Sequence, residues 1–210
     1  QGKIIHHLAM DKNEMLFIVG DKQKVVFSSL GALRIELAKR NQLINEQEWA
    51  PLWVVDFPLF EWNDDHERWD SLHHPFTSPN LEDIHLLNED PSKVRSLGYD
   101  IVMNGYEVGG GSIRIYDKKL QSNIFDLLGI NKEEANEKFG FLMNAFKYGA
   151  PPHGGMAFGF DRLIMLLAGS KQIRDVIAFP KTTSAMSLMD NSPSLVDENQ
   201  LDELGLKIKK

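Results

Sequence analysis

The sequence predicts an α+β fold, a mainly antiparallel sheet with helices packed on it. Three observations point there. Strand-like and helix-like segments follow one another without a regular βαβ rhythm, which speaks against a parallel doubly wound sheet. Asn104-Gly105 stands between two apolar runs, the strongest short signal for a two-residue hairpin. The glycine-punctuated stretch "GGMAFGF" runs directly into the helical pattern "DRLIMLL". The chain has 210 residues, 42% of them hydrophobic, enough for one good core and a small appendage.

Composition narrows the function classes. With no cysteine there is no disulfide framework and no cysteine-ligated zinc, which is compatible with an intracellular protein. No apolar run approaches the roughly 18 residues of a transmembrane helix. A net charge of −7 argues against a broad basic surface and leaves room for a local basic groove. The first residue is Gln1, not methionine, so the start is expected to have been cut, and absent targeting signals carry little information.

In chain order, residues 14–19, "EMLFIV", read as a strand closed by a turn at Gly20. Val26, Leu30, Leu33 and Leu37 recur at helical spacing and form one face of a helix over 25–40. A strand and a helix are too little to fold alone, so residues 1–45 read as the end of a domain whose beginning is missing. Residues 46–210 form the second domain. Residues 52–62, "LWVVDFPLFEW", have a buried-strand composition interrupted by Pro58. Proline cannot donate to a ladder, so the strand is expected to be at an edge or bulged there. "NDDHER" is a polar loop tip, and Ser78 with Pro79 reads as an N-cap and first position of a short helix through Leu87. Residues 118–128 form a helix stopped by Gly129. Asn131 with Glu134 starts another in capping-box fashion, with Ala135, Phe139, Leu142, Met143 and Phe146 on one face and Gly149 at its end. A short last helix is expected at residues 198–204.

The candidate chemistry lies around the hairpin. A two-residue turn sets Met103 opposite Tyr106 and Val102 opposite Glu107, so Asp100 shares the face of Glu107 as a diagonal neighbour, roughly 7–8 Å away. Two adjacent carboxylates either hold a magnesium ion between them or lie on a solvated face where the repulsion is cheap. Glu107 and Arg114 have opposite parity on a regular strand. A bulge within Gly109–Gly111 would turn them to one face, and the glycines would leave a bare floor for a flat ligand. A close helix–sheet contact needing small residues is the other reading. His73 and His74 on an extended segment point to opposite faces, one buried and hydrogen-bonded, the other free to read a carboxylate. No third ligand stands at a spacing that suits zinc. Gly155, Ala157 and Gly159 alternate, leaving one strand face without bulk. Arg162 in the first turn of the next helix opposes the macrodipole, and either Asp161 or a bound phosphate would satisfy it. There is no Walker loop.

Together these stretches resemble the C-terminal half of the bacterial-type aspartyl-tRNA synthetases, a class II aminoacyl-tRNA synthetase family. "GGMAFGFDRLIMLL", within residues 154–167, is similar to the third class II signature, with Ala157 where the pattern has glycine. "NGYEVGGGSIRI", "HHPFTSP", "KYGAPPHGG" and "IRDVIAFPKT" are similar to the aspartate branch. The likeness is dense over residues 50–192. Residues 1–45 are similar, less distinctively, to the end of the GAD insertion domain.

The resemblance implies part of a class II catalytic domain and an aspartate–tRNA ligase activity. L-Aspartate and ATP form aspartyl-adenylate and pyrophosphate, and the aspartyl group passes to tRNA. It implies that Asp100 and Glu107 hold Mg²⁺ on ATP and that Arg114 grips the substrate side-chain carboxylate. His73 would stand near the substrate ammonium and carboxylate. Gly159, Phe160, Asp161 and Arg162, with Glu107, would contact ATP. Arg114, Glu107 and Arg162 carry the chemistry in this reading. The implied partners are tRNA(Asp), with tRNA(Asn) left open, in a cytoplasmic homodimer with no membrane association. The physical demands agree, since bringing a carboxylate to a polyphosphate is a matter of positioning and charge stabilisation. An arginine fork suits carboxylate recognition. The family's first motif, which builds the dimer interface, the second, whose arginine binds the α-phosphate, and the anticodon-binding barrel are not among the 210 residues. The expectation is therefore a fragment that is inactive alone. The alternatives are a class II paralogue that adenylates aspartate or asparagine without charging tRNA, and a non-catalytic scaffold. Retention of Arg114, Glu107 and Arg162 speaks against the scaffold.

Overall fold

The computed structural model describes residues 7–11 and 13–209, so the parts of the two expected domains that fall on residues 1–6, 12 and 210 lie outside the described residues. Two compact units divide between Trp49 and Ala50.

The first unit is built on α1 (Gln23–Arg40). Val26, Leu33 and Leu37 of its expected apolar face are half-buried, but Leu30 is exposed. Asn41 closes the helix, its backbone and side-chain N–H groups both donating to the Leu37 carbonyl. Lys39 and Arg40 lie in the last turn, where cations suit the negative end of the dipole. The expected strand at 14–19 is not formed. Its composition suits a pleated surface, but a ladder needs a partner, and the described residues of this unit offer no second strand.

The second unit contains a four-stranded antiparallel sheet in the order β1–β4–β5–β6, formed by β1 (Pro51–Val55), β4 (Gly98–Met103), β5 (Tyr106–Ile113) and β6 (Gly154–Phe158). A separate hairpin pairs β2 (Phe60–Asn63) with β3 (Arg68–Ser71) around the polar tip at residues 64–67. The apolar run at 52–62 is thus two strands in two sheets. Asp56, at φ 58°, and Pro58 break it, and β1 takes the sheet edge. The core joins this hairpin to the helices, with Leu59, Phe60, Leu87, Val94, Ile115, Ile124 and Leu128 buried together.

The short helix after the hairpin is a 3-10 helix, Leu81–Leu87, capped by Asn80, whose side chain accepts from the Glu82 N–H. Ser78 is not the cap, because its backbone is already committed. Its N–H donates to the Ile113 carbonyl, and its carbonyl accepts from the Leu97 N–H. α2 (Lys118–Leu127) starts at Asp117, which accepts from the Leu120 N–H, and buries Gln121, Ile124 and Phe125. Beyond it Gly129 adopts φ 71°. α3 (Lys132–Ala145) is capped as expected, with the Asn131 side chain accepting from the Glu134 N–H. Its expected apolar face is half-buried throughout. Phe139 packs on Phe76 and stacks on Phe125. α4 (Phe160–Leu167) follows β6 directly, and α5 (Glu198–Glu203) is the short last helix.

The central hairpin has the expected register, Met103 opposite Tyr106 and Val102 opposite Glu107, with Asn104 at φ 51° and Gly105 at φ 85° in the turn. The bulge is one residue earlier than expected. Ile101 pairs with Gly109 while Val102 pairs with Glu107, so Val108 is the extra residue and Gly109–Gly111 pair regularly on both sides. Two interactions pin the bulge at Val108. Its side chain is buried, and its carbonyl accepts from the Gly159 N–H at the start of α4.

Candidate active site

The bulge does the geometric work expected of the glycines. Past Val108 the alternation resumes in opposite phase, so Gly110, Ser112 and Arg114 share the face of Glu107 and Asp100. That face floors a cleft of roughly 530 Å³. All eight residues singled out from the sequence line it: His73, Asp100, Glu107, Arg114, Gly159, Phe160, Asp161 and Arg162.

All three glycines serve close contacts rather than a bare floor, and a Cβ on Gly109 would lie 2.8 Å from the Ala157 carbonyl oxygen of β6. A Cβ on Gly110 would lie 2.3 Å from Asp100 Oδ1, so the Asp100 carboxylate lies across the strand at that point. A Cβ on Gly111 would lie 1.9 Å from the Gly155 carbonyl oxygen of β6. The contact requiring small residues is therefore strand against strand, not helix against sheet.

Arg114 follows β5. Its backbone N–H donates to the His153 carbonyl at 2.9 Å, tying it to the loop before β6. Its Nη1 is buried and has no hydrogen-bond partner. A guanidinium nitrogen so placed is costly unless an acceptor meets it. Arg162 does not pair with its neighbour Asp161. Its Nη1 donates to the Glu107 carbonyl, tying the first turn of α4 to the residue before the bulge.

The histidines depart from the alternating picture. His73 and His74 both line the cleft, and neither is fully buried, because the chain turns at Pro75 instead of running extended. His73 packs edge-on against Phe57, ring centres 4.6 Å apart. His74 Nδ1 accepts from the Phe76 N–H at 3.2 Å. His74 is exposed as a residue, yet desolvation of its ring, followed by the charge of Arg114, holds its imidazole below the ordinary range.

Thr77 and Ser112 also line the cleft, their hydroxyls 3.2 Å apart and buried, and sequence reasoning passed over both. The shared parity of Ser112 and Arg114 was the signal that could have found Ser112. Among the described residues no three carboxylate or histidine groups gather as a metal cage. Asp100 and Glu107 offer a pair on one face. No helix among those residues is long and apolar enough to cross a membrane.

Comparison with known proteins bears on this arrangement. The family described as tRNA synthetases class II (D, K and N) matches residues 7–183. The chain belongs to that family. Class II relatives of high identity include the aspartate–tRNA(Asp/Asn) ligase of Caldanaerobacter subterraneus subsp. tengcongensis, 57% identical over 98% of this chain and 35% of that protein. The aspartate–tRNA ligase of Ruminiclostridium cellulolyticum is 51% identical over 99% of this chain and 35% of that protein. The chain thus spans about a third of the length of the curated relatives it matches. The aspartyl tRNA synthetase structure from Entamoeba histolytica aligns with a TM-score of 0.50 at 22% identity, over 89% of this chain and 31% of that one. That likeness carries the α+β class II fold.

Proposed function

We propose that this chain is the C-terminal part of an aspartate–tRNA ligase, which activates L-aspartate with ATP and transfers it to tRNA. In this reading residues 1–45 end an insertion domain and residues 46–210 hold the C-terminal half of the catalytic domain. The observation that carries the proposal is the buried, unpartnered Nη1 of Arg114 in a cleft shared with Asp100 and Glu107. A planar fork short of an acceptor fits a substrate carboxylate, which takes two parallel bonds from it. An amide side chain would leave that fork badly paired, which rejects asparagine.

His73 and His74 stand on the same cleft wall and suit the remaining polar groups of aspartate. Phe160, Asp161 and Arg162 begin α4 and suit ATP, with Arg162 at a phosphate or on the adenine face. Two carboxylates on one face fit a Mg²⁺ whose other ligands are phosphate oxygens and water, since Mg²⁺ is usually held by one or two carboxylates and the substrate. Bound there, the ion would neutralise phosphate charge. Arg114 orients the aspartate, and Asp100 and Glu107 orient the nucleotide. No protein nucleophile or general base is needed, because the aspartate carboxylate itself attacks the α-phosphate. The same reading carries a cytoplasmic homodimer. It leaves the tRNA range to a charging assay with tRNA(Asp) and tRNA(Asn).

Aspartate-dependent ATP–pyrophosphate exchange tests the proposal. The full-length protein is expected to exchange with aspartate and not with asparagine. The isolated 210-residue chain is expected to be inactive, because it lacks the second motif that holds the α-phosphate. Exchange by the isolated chain at near full-length rates overturns its inactivity. Absence of aspartate-dependent exchange by the full-length protein overturns the ligase reading.

A further inference from the structure

Gln121 is fully buried on α2, 0% exposed, yet it uses only part of its hydrogen-bonding capacity. Its Nε2 donates to the Pro75 carbonyl at 2.9 Å, and its Oε1 is buried without a partner. Burying an amide with an idle oxygen is unfavourable, and a methionine of similar volume would pack there without that cost. The value of this amide therefore lies in the single bond it makes.

That bond has a specific target. The neighbouring carbonyls are held by backbone donors, His74 by the Thr77 N–H and Phe76 by the Ile115 N–H, both at 2.9 Å. The Pro75 carbonyl is held by the Gln121 side chain. The Pro75 carbonyl and the Phe76 N–H are two ends of one planar peptide unit. Gln121 grips one end, and His74 Nδ1 accepts from the other. Rotation of that plane would break both bonds together. With Nδ1 an acceptor, the neutral ring carries its proton on Nε2.

We propose that Gln121 is a positioning residue that acts through the Pro75–Phe76 peptide to orient the His74 ring, fixing its Nε2–H as the donor on the cleft wall beside Arg114. The link to substrate rests on the aspartate reading of the cleft. The relay itself is a property of this chain.

Two measurements test it. In the ¹⁵N-histidine-labelled chain at neutral pH, the ring nitrogens of His74 are expected to report an unprotonated Nδ1 and a protonated Nε2. The Gln121→Met variant is expected to keep its Tm within a few degrees and lose that single-tautomer signature. A wild-type His74 protonated on Nδ1 overturns the relay, and so does a signature unchanged in a folded Gln121→Met variant. In the full-length protein, Gln121→Met is expected to raise the aspartate KM about three- to tenfold, with the ATP KM and kcat little changed, the pattern of lost ground-state positioning. An unchanged aspartate KM overturns the link to substrate. Arg114→Lys serves as the control: if it too leaves the aspartate KM unchanged, the aspartate reading has failed, and the ring signature alone decides the relay.

Discussion

The Asp100 carboxylate fills the space that a side chain on Gly110 would need. The two residues are direct partners across β4 and β5, and a Cβ on Gly110 would lie 2.3 Å from Asp100 Oδ1. The nearest backbone atom, the Tyr99 carbonyl oxygen, lies 3.5 Å away, an ordinary contact. An added methyl therefore meets the movable end of a side chain, not backbone. Gly110→Ala is expected to leave Tm within a few degrees while displacing the carboxylate. In the full-length protein it should lower aspartate-dependent exchange by about tenfold or more, since small misplacements of positioning groups are costly. Near wild-type exchange would show that the Asp100 position is not critical.

The adjacent glycine should behave in the opposite way. A Cβ on Gly111 would lie 1.9 Å from the Gly155 carbonyl oxygen and 2.9 Å from its carbon. Those atoms belong to the β6 backbone, so β5 and β6 must part. Gly111→Ala is expected to destabilise the chain by roughly 1–3 kcal/mol or more, the range for forced overpacking. Chemical denaturation of the two variants side by side checks the contrast, and equal loss at both positions would sink it.

Arg114→Lys in the full-length protein is expected to raise the aspartate KM and lower kcat. Lysine keeps the charge but offers a point donor on a flexible stem, so the bidentate geometry is lost. Binding to the exposed surface would tolerate the change, whereas the Nη1 of Arg114 is a buried donor that a lysine cannot reproduce. Steady-state kinetics with aspartate varied decide this. Unchanged values would place the substrate carboxylate elsewhere.

What the sequence disclosed follows the range of the forces involved. The Asn104-Gly105 turn, the Asn131 cap and the Gly129 stop are local chemistry, and each was legible from a few residues. The register of the hairpin followed from its turn. The position of the bulge did not, because Val108 is selected by distant partners, the Gly159 N–H and the buried environment of its side chain. Asn80 displaced Ser78 as the cap for a similar reason, since Ser78 is committed to Ile113 and Leu97. The segment at 14–19 has strand composition, but composition supplies no partner. In the site, residue types and parity assembled the carboxylates and Arg114 once a bulge was allowed. The Gln121 bond to Pro75 spans 46 residues and had no sequence signal.

Asp83 provides a test by pH. Its carboxylate is buried and meets the Arg95 guanidinium at two points, Nε to Oδ2 at 2.8 Å and Nη2 to Oδ1 at 3.0 Å, while the Arg95 N–H donates to Oδ2 at 3.0 Å. This ties the 3-10 helix Leu81–Leu87 to the Arg95–Ser96 segment, which bridges to Pro58 through Arg95 and to Pro79 through Ser96. The side-chain bond from Arg95, then its backbone N–H, lowers the Asp83 pKa to about 2, against an ordinary 3.8. A folded pKa below the unfolded one means the stabilisation is present in full above the unfolded value. It is lost as pH falls from about 3.8 toward about 2, where folded Asp83 takes up its proton. Asp83→Asn removes the charge at every pH. The variant is therefore expected to melt several degrees below the wild type at neutral pH, in line with loss of a buried charge-assisted pair. The gap should narrow as pH is lowered through this window. Thermal unfolding of both proteins from pH 6 to the lowest pH at which they remain folded measures it. A gap independent of pH would show that the Asp83–Arg95 pair stabilises through shape alone.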